Sequence, residues 1–370
     1  MKRREFLSGA AAAGAATGVS SLAAPAVARA QGASGEAMEW KMVTTWPKNA
    51  PGVGVNAQRF ADAVTEMSGG RLTIRLFAAG ELVPPFECLD AVQADTAQLA
   101  HSTPYYWVGK APALNYFTTI PFGLMAWEMS AWIAFGGGQA LWEEVYAPFN
   151  VVPFYVGNSG VQSGGWFNKE INTLDDIKGL KMRIAGSGGE VMRRLGAAVV
   201  LTPPGDIQPA LMSGAVDAAE WVGPWLDIAF GLQKAAKYYY VPAFHEPGPG
   251  LEVIVNKERF AALPDDLKAI VRYAARATAE TTLADFTYNN IKVFSEMQTA
   301  FPDIELRTFP DAVIAAMGEA TREVVAEIAA KDEMAAKVHE SFTAFNAMAE
   351  DYQRHFDLKT LQMRRQVMAG

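Results

Sequence analysis

Three short pieces of the chain carry residue types suited to holding ions. They are Gly157-Asn158-Ser159-Gly160-Val161-Gln162-Ser163-Gly164-Gly165-Trp166, then Leu180-Lys181-Met182-Arg183, then Glu220-Trp221-Val222-Gly223-Pro224. Together they offer two side-chain amides (Asn158, Gln162), one guanidinium (Arg183), and one carboxylate beside an indole (Glu220, Trp221). A guanidinium is a rigid fork of donors that meets a carboxylate through two parallel hydrogen bonds. Amide and carboxylate oxygens are the ligands that hard cations prefer. The stretch therefore holds the parts for binding an organic anion, a cation, or both.

Each of these residues also has a structural use. Arg183 sits in an otherwise apolar segment (Leu180, Met182, Ile184), so its charge needs a partner, either a bound anion or a native Asp or Glu. Asn158 and Gln162 lie in a glycine-rich loop after a strand, where open α/β sheets take their ligands; the same glycines serve tight turns. Glu220 follows Ala215, Val216, Ala218 and Ala219, and a carboxylate on a buried edge must be paired, protonated or bound to a metal. Oxygens from Glu220, Gln162 and a backbone carbonyl suit Ca2+ or Na+ and not zinc, and Glu246 in His245-Glu246-Pro247 can add another. Tyr105 and Phe122 belong to an aromatic-dense segment, Ser102 to Phe122, that either lines a pocket or packs a core.

Enzyme chemistry finds less support. The four histidines show no metal-ligand spacing, Cys88 has no evident histidine partner, and there is no G-x-S-x-G elbow. Gly186-Ser187-Gly188-Gly189 does not meet the G-x-G-x-x-G spacing of a nucleotide loop. A carboxylate pair of Glu220 with Asp217 remains as the enzymatic alternative.

The elements around these pieces read as a layered α/β chain. Trp40–Trp46 is predicted as a buried strand ended by Pro47, Asn56–Met67 as a helix, Arg71–Phe77 as an alternating strand, and Pro84–Ala91 as a second helix. Strands are further predicted at 150–157, 181–185, 238–242 and 251–255, with a final short one at 304–309. Helical periodicity runs from Pro264 towards Thr299. Beyond Asp311 the chain is amphipathic, and Val338, Phe342, Phe345, Ala349 and Tyr352 form a nearly coiled-coil-like row, which packs either on its own domain or on a second subunit.

The N-terminus has the features of an export signal. Lys2-Arg3-Arg4-Glu5-Phe6-Leu7 is a charged n-region with the paired arginines of the twin-arginine route, an alanine-rich run follows, and Ala28-Arg29-Ala30 is a cleavage signature. Removing residues 1–30 takes the net charge from −8 to about −11, since Lys2, Arg3, Arg4 and Arg29 outnumber Glu5. An acidic chain without a basic cluster argues against nucleic acid and against an anionic membrane surface as partners. With Cys88 as its one cysteine the chain forms no internal disulfide, so in an oxidising compartment its core carries stability unaided. The length expected after cleavage, about 340 residues, favours two lobes over one core.

Taken in order, Gly80-Glu81-Leu82-Val83-Pro84, Gly157 to Trp166, Leu180 to Arg183, Glu220 to Pro224, Tyr238-Tyr239-Tyr240 and Glu246-Pro247-Gly248 resemble the solute receptors of tripartite ATP-independent periplasmic (TRAP) transporters, the DctP family. The likeness covers nearly the whole mature chain and is closest to the branch that binds small 2-oxo or 2-hydroxy monocarboxylates with a metal ion. It implies a two-lobed α/β flytrap with long bridging and C-terminal helices: lobe I from 37–156 and 247–310, lobe II from 157–246, and a helical segment 311–370 that dimerises. By the same resemblance, Arg183 clamps the ligand carboxylate, and Asn158 and Gln162 contact ligand or cation. Gln162, Glu220, the Trp221 carbonyl and Glu246 would hold Ca2+ or Na+, with Tyr105 and Phe122 against the ligand. The implied partners are a small carboxylate, the small and large TRAP membrane subunits, and a second copy of the chain. The implied location is the periplasm, and the implied role is transport without catalysis. A metal-independent receptor for a dicarboxylate or other organic acid is the alternative, and a periplasmic enzyme using Glu220 is a more distant one.

Overall fold

The architecture is that of a computed structural model, which describes residues 37–368. The export signal read in residues 1–30 lies outside the described residues. β-branched and aromatic runs of period two make the strands, and the chain distributes them over two sheets. The first holds β1 (Met38–Thr44), β2 (Leu72–Phe77), β3 (Leu99–Ser102), β4 (Val151–Asn158) and β10 (Gly250–Asn256), in the order β2-β1-β3-β10-β4. Its β1 pairs in parallel with β2 and β3, whereas β10 runs antiparallel between β3 and β4. The second holds β5 (Gly165–Phe167), β6 (Lys181–Arg183), β7 (Ala198–Val200), β8 (Ala218–Ala219), β9 (Tyr238–Tyr240) and β11 (Glu305–Arg307), in the order β11-β9-β5-β8-β6-β7. Helices cover both sheets, which gives the two-lobed α/β fold anticipated above.

The chain passes between the sheets at 159–164, again at 241–249, and a third time through the helix Asp265–Ala300. That helix has 36 residues and so spans about 54 Å, enough to reach across both sheets. Its length explains why β11 pairs with β9 in the second sheet, although 304–309 falls within the segment assigned above to lobe I. The helix lies tightly on β4, where the Thr282 hydroxyl donates to the Val156 carbonyl (3.2 Å). Gly157 is the residue that permits this approach, since a Cβ there would stand 2.6 Å from Thr282 Cγ2.

The two short crossings are bonded to each other. Gln162 N–H donates to the Glu246 carbonyl (3.1 Å) and Ala243 N–H donates to the Gln162 carbonyl (2.9 Å). The Asn158 amide adds a third link, donating to the Gly248 carbonyl (2.9 Å) while accepting from Gly160 N–H (2.8 Å).

The segment beyond Asp311 forms three helices, Asp311–Ala329, Glu333–His355 and Asp357–Met368. Val338 and Phe342 are buried, with Phe342 against Tyr116 and Trp132, so the first part of the predicted stripe packs on its own domain. Tyr352 is exposed, and no residue of Asp357–Met368 is buried. Two helices between the aromatic segment and β4, Ala126–Phe135 and Gly138–Tyr146, were not foreseen. Among the described residues no helix is long and apolar enough to cross a membrane.

Candidate functional site

The ends of β6 and β8 and the two short crossings meet at one buried cluster. Arg183 closes β6 and is completely buried. One arm of its guanidinium donates to Glu220 Oε1 (2.5 Å) and to the Glu220 carbonyl (2.8 Å). The other donors make only long contacts, 3.4 Å each, with the Thr202 carbonyl. The guanidinium carbon lies 5.8 Å from the Trp221 ring centre. The native partner considered for Arg183 therefore exists, and it is Glu220.

Glu220 follows β8 directly, and its carboxylate is half satisfied. Oε1 also accepts from Ala185 N–H (3.1 Å), while Oε2 has no hydrogen-bond partner and lies 3.6 Å from His245 Nε2. Burial works to raise the pKa of this carboxyl, but the Arg183 charge and His245 outweigh it and hold the group below its usual range. Glu246, in the second crossing, is buried with neither carboxylate oxygen bonded. Burial, and then the charge of Glu220, push its pKa well above the carboxylate range. Ligand atoms of Glu220, His245 and Glu246 lie within 4.8 Å of one another.

Gln162, in the first crossing, gives its amide N–H to the Ser159 hydroxyl (3.0 Å) and leaves Oε1 buried without a donor. Both ring nitrogens of His245 and the indole N–H of Trp221 are also buried and unpartnered. Groups of this kind cost free energy unless something binds them. Oxygens of Gln162, Glu220 and Glu246 are a donor set that fits a hard cation. A small cavity beside them is lined by Tyr105, Tyr106, Gln162, Trp221, Glu246 and Trp46.

The residues singled out in the sequence do not all converge. Arg183, Glu220, Gln162, Trp221, Glu246 and Tyr105 do. The Asn158 amide is spent on backbone groups of the two crossings, so its place is behind the site as a tie between them. Phe122 stays outside the cavity: it is 44% exposed, at φ 58°, and its ring packs 5.9 Å from Phe244. The Asp217 carboxylate accepts from Lys181 N–H at the far end of β6, so it makes no catalytic pair with Glu220. Cys88 is buried, and burial pushes its thiol up to about 12, far from a nucleophile.

Three residues of the site escaped the sequence reading. His245 reaches Glu220 through space, which ligand spacing does not reveal. It is seated against Gly188, where a Cβ would come within 2.5 Å of His245 Cβ. Tyr106 was only one of several aromatics. Asp227 supports the loop that carries Glu220 and Trp221: its carboxylate accepts from Val222 N–H (3.0 Å), Gly223 N–H (3.1 Å), Ser163 Oγ (3.1 Å), Trp166 Nε1 (3.0 Å) and Tyr239 Oη (3.1 Å).

Residues 42–332 match the model of the bacterial extracellular solute-binding proteins, family 7 (DctP). The chain is 42% identical over 345 residues to the monocarboxylate 2-oxoacid-binding periplasmic protein of Nostoc sp., covering 93% of this chain and 94% of that one. It is 38% identical to a TRAP periplasmic solute-binding protein of Pseudoalteromonas atlantica with bound sodium and pyruvate (TM-score 0.86, 88% of this chain, 99% of that one). A protein of the same kind from Colwellia psychrerythraea, with bound calcium and pyruvate, is also 38% identical (TM-score 0.86, 88% and 99%). The chain belongs to the DctP family of bacterial extracellular solute-binding proteins, the solute receptors of TRAP transporters.

Proposed function

We propose that this receptor captures a small 2-oxo monocarboxylate such as pyruvate together with a cation and delivers it to the TRAP membrane subunits. Arg183 takes one edge of the ligand carboxylate. Gln162 Oε1, Glu220, Glu246 and the Trp221 carbonyl would hold the cation, which would supply positive charge to the oxygens of the bound acid. The observation that carries the reading is the group of buried, unpartnered oxygens on Gln162, Glu220 and Glu246 beside a buried guanidinium.

Charge counting narrows the ligands. Arg183 against Glu220 and Glu246, all buried, leaves one formal negative charge. Ca2+ turns this into one positive charge, which a monocarboxylate cancels; a dicarboxylate overshoots. Na+ reaches neutrality by itself and leaves a ligand anion uncompensated unless Glu246 keeps a proton. The count favours a monocarboxylate with either ion, Ca2+ where Glu246 is ionised and Na+ where it keeps its proton, because an uncompensated buried charge is costly. A small hydrated acid buries too little apolar surface to bind by that means, and charge-assisted bonds in a water-excluded cleft supply the remainder.

Ligand contacts made by both lobes favour closure, and the bonded crossings at 159–164 and 241–249 are suited to act as the hinge. On this reading the protein is a receptor without catalytic turnover. It is exported to the periplasm through the twin-arginine signal and dimerises through the C-terminal helices, where Tyr352, Phe356, Leu361 and Val367 are exposed. The assignment of 37–156 and 247–310 to lobe I and of 157–246 to lobe II belongs to the same proposal, with β11 of the first segment paired to β9 of the second.

Calorimetric titration of ligand-free, metal-free protein with pyruvate, lactate and succinate, each with and without Ca2+, tests it. Binding of the monocarboxylates only in the presence of Ca2+, with the acid recovered unchanged, is expected. Metal-independent binding of succinate would replace the reading with the dicarboxylate one, and turnover of the acid would make the protein an enzyme.

A further inference from the structure

Arg183, Gln162, Glu220 and Glu246 account for the polar end of a bound acid. The same cavity is also lined by the apolar and aromatic side chains of Trp46, Val53, Tyr106 and Leu251. These residues come from the first lobe: Trp46 follows β1, Val53 opens the helix Val53–Met67, Tyr106 lies in the turn Pro104–Trp107, and Leu251 is in β10. Trp46 is 2% exposed, with its ring centre 6.2 Å from that of Tyr106 and 6.3 Å from that of Trp221.

Its orientation is fixed at both ends. The Trp46 carbonyl accepts from Ala79 N–H (2.9 Å) and from the Thr44 hydroxyl (3.2 Å). Its indole N–H donates to His101 Nδ1 (2.8 Å), and His101, in β3, is completely buried. Burial pushes His101 down to about 3, so the ring is neutral and Nδ1 is a standing acceptor. An indole has a single N–H, and spending it on His101 leaves the ring one orientation.

We propose that Trp46, held in place by His101, is the chain-length gate of the receptor, closing the cavity over the ligand's carbon chain and restricting it to short 2-oxo acids. This rests on the reading above, because the chain meets the first-lobe wall only when the carboxylate and C2 oxygen are at Arg183 and the cation. Trp46 is then a specificity residue, and His101 a positioning residue acting through it. A wall clamped from both ends cannot retreat, so each extra carbon forces an overpacked arrangement.

The test titrates pyruvate, 2-oxobutanoate, 2-oxopentanoate and 4-methyl-2-oxopentanoate into the full chain in saturating Ca2+, with wild type, Trp46→Leu, Trp46→Phe and His101→Gln. Wild-type affinity is expected to fall about tenfold for each added carbon. In Trp46→Leu the order should invert, pyruvate weakening several-fold and 4-methyl-2-oxopentanoate gaining about tenfold or more. His101→Gln should flatten the series partway while the Ca2+ concentration for half-saturation stays put, which loss of stability alone would not produce. If Trp46→Leu fails to fold, Trp46→Phe carries the test with a smaller shift of the same sign. Variants that weaken all four acids by one factor, keeping their order, overturn the gate. A wild type that binds the four equally overturns the gate alone, whereas one that binds none of them overturns the reading on which it rests.

Discussion

Glu246 and Asp227 are two carboxylates with nearly the same burial, 1% and 0% exposed, and opposite surroundings. Asp227 accepts hydrogen bonds from two backbone amides, a serine, a tryptophan and a tyrosine. Glu246 accepts none, and faces a second carboxylate instead. Neither has a cation in contact with it among the described residues. A buried carboxylate supplied with donors belongs to the framework; one without them is a cost that the fold tolerates where a ligand will meet it. The difference separates a site from its scaffold within a few residues of chain, Asp227 holding the loop that Glu220 and Trp221 come from.

Substitutions that treat the two groups alike should therefore give opposite results. The largest effect is expected for Arg183→Ala, which removes the counter-charge on which both the ligand and Glu220 depend. Carboxylate affinity should fall by about 2–5 kcal/mol, read by calorimetry, and normal binding would break the assignment of the clamp. Asp227→Asn should lower stability by about 1–3 kcal/mol in denaturant unfolding, because donors lose their acceptor. It should leave Arg183-dependent binding measurable. Glu246→Gln should do the reverse: about a tenfold or greater loss in Ca2+ affinity, with metal-free stability little changed, since the amide replaces a carboxyl that burial and Glu220 already hold towards its neutral form. If Glu246→Gln instead destabilised the metal-free protein as Asp227→Asn does, the contrast between the two would be lost.

A third buried carboxylate, Glu252 on β10, sharpens the comparison through pH. It accepts from Tyr146 Oη (2.9 Å) and Trp107 Nε1 (3.1 Å) and meets no cation among the described residues. Burial, only partly opposed by these bonds, pushes its pKa up to about 8. A folded pKa above the unfolded one means that the native state holds the extra proton between the two values. The contribution is present below the unfolded pKa of about 4 and is lost as pH rises through 8, with a slope no steeper than about 1.4 kcal/mol per pH unit. Glu252→Gln should flatten the decline in melting temperature across that window; an unchanged profile would show that another group is responsible.

Much of the fold was legible because it is written in local pattern. The alternation of 71–77 and the apolar run at 251–255 became β2 and β10 nearly as read, and the long stripe from Pro264 became one helix. The parts of a site were legible in the residue types, since Arg183, Gln162 and Glu220 stand among apolar neighbours, but their joint use for an anion and a cation came from the family resemblance and not from the residues alone. What long-range contacts decide was not. Asn158 looked like a ligand contact because glycines surround it, yet its amide is consumed by Gly248 and Gly160. Gly157 answers to Thr282 of the bridging helix and not to a ligand. Asp227, just after Pro224, reads as an ordinary first-turn acid, and its donors Ser163 and Trp166 lie 64 and 61 residues away. Trp46 read as the end of a strand, and only His101, 55 residues on, gives its indole a fixed place.

On the reading proposed above, the buried oxygens of Gln162, Glu220 and Glu246 hold a cation shared with the bound acid. A crystal structure of the protein with pyruvate and Ca2+, with the ion located by its anomalous scattering, tests it most directly. One ion is expected about 2.3–2.6 Å from oxygens of all three side chains and from the pyruvate carboxylate, with Arg183 on the other carboxylate edge. Pyruvate seated on Arg183 with no ion beside Glu246, or an ion bound elsewhere, would contradict it.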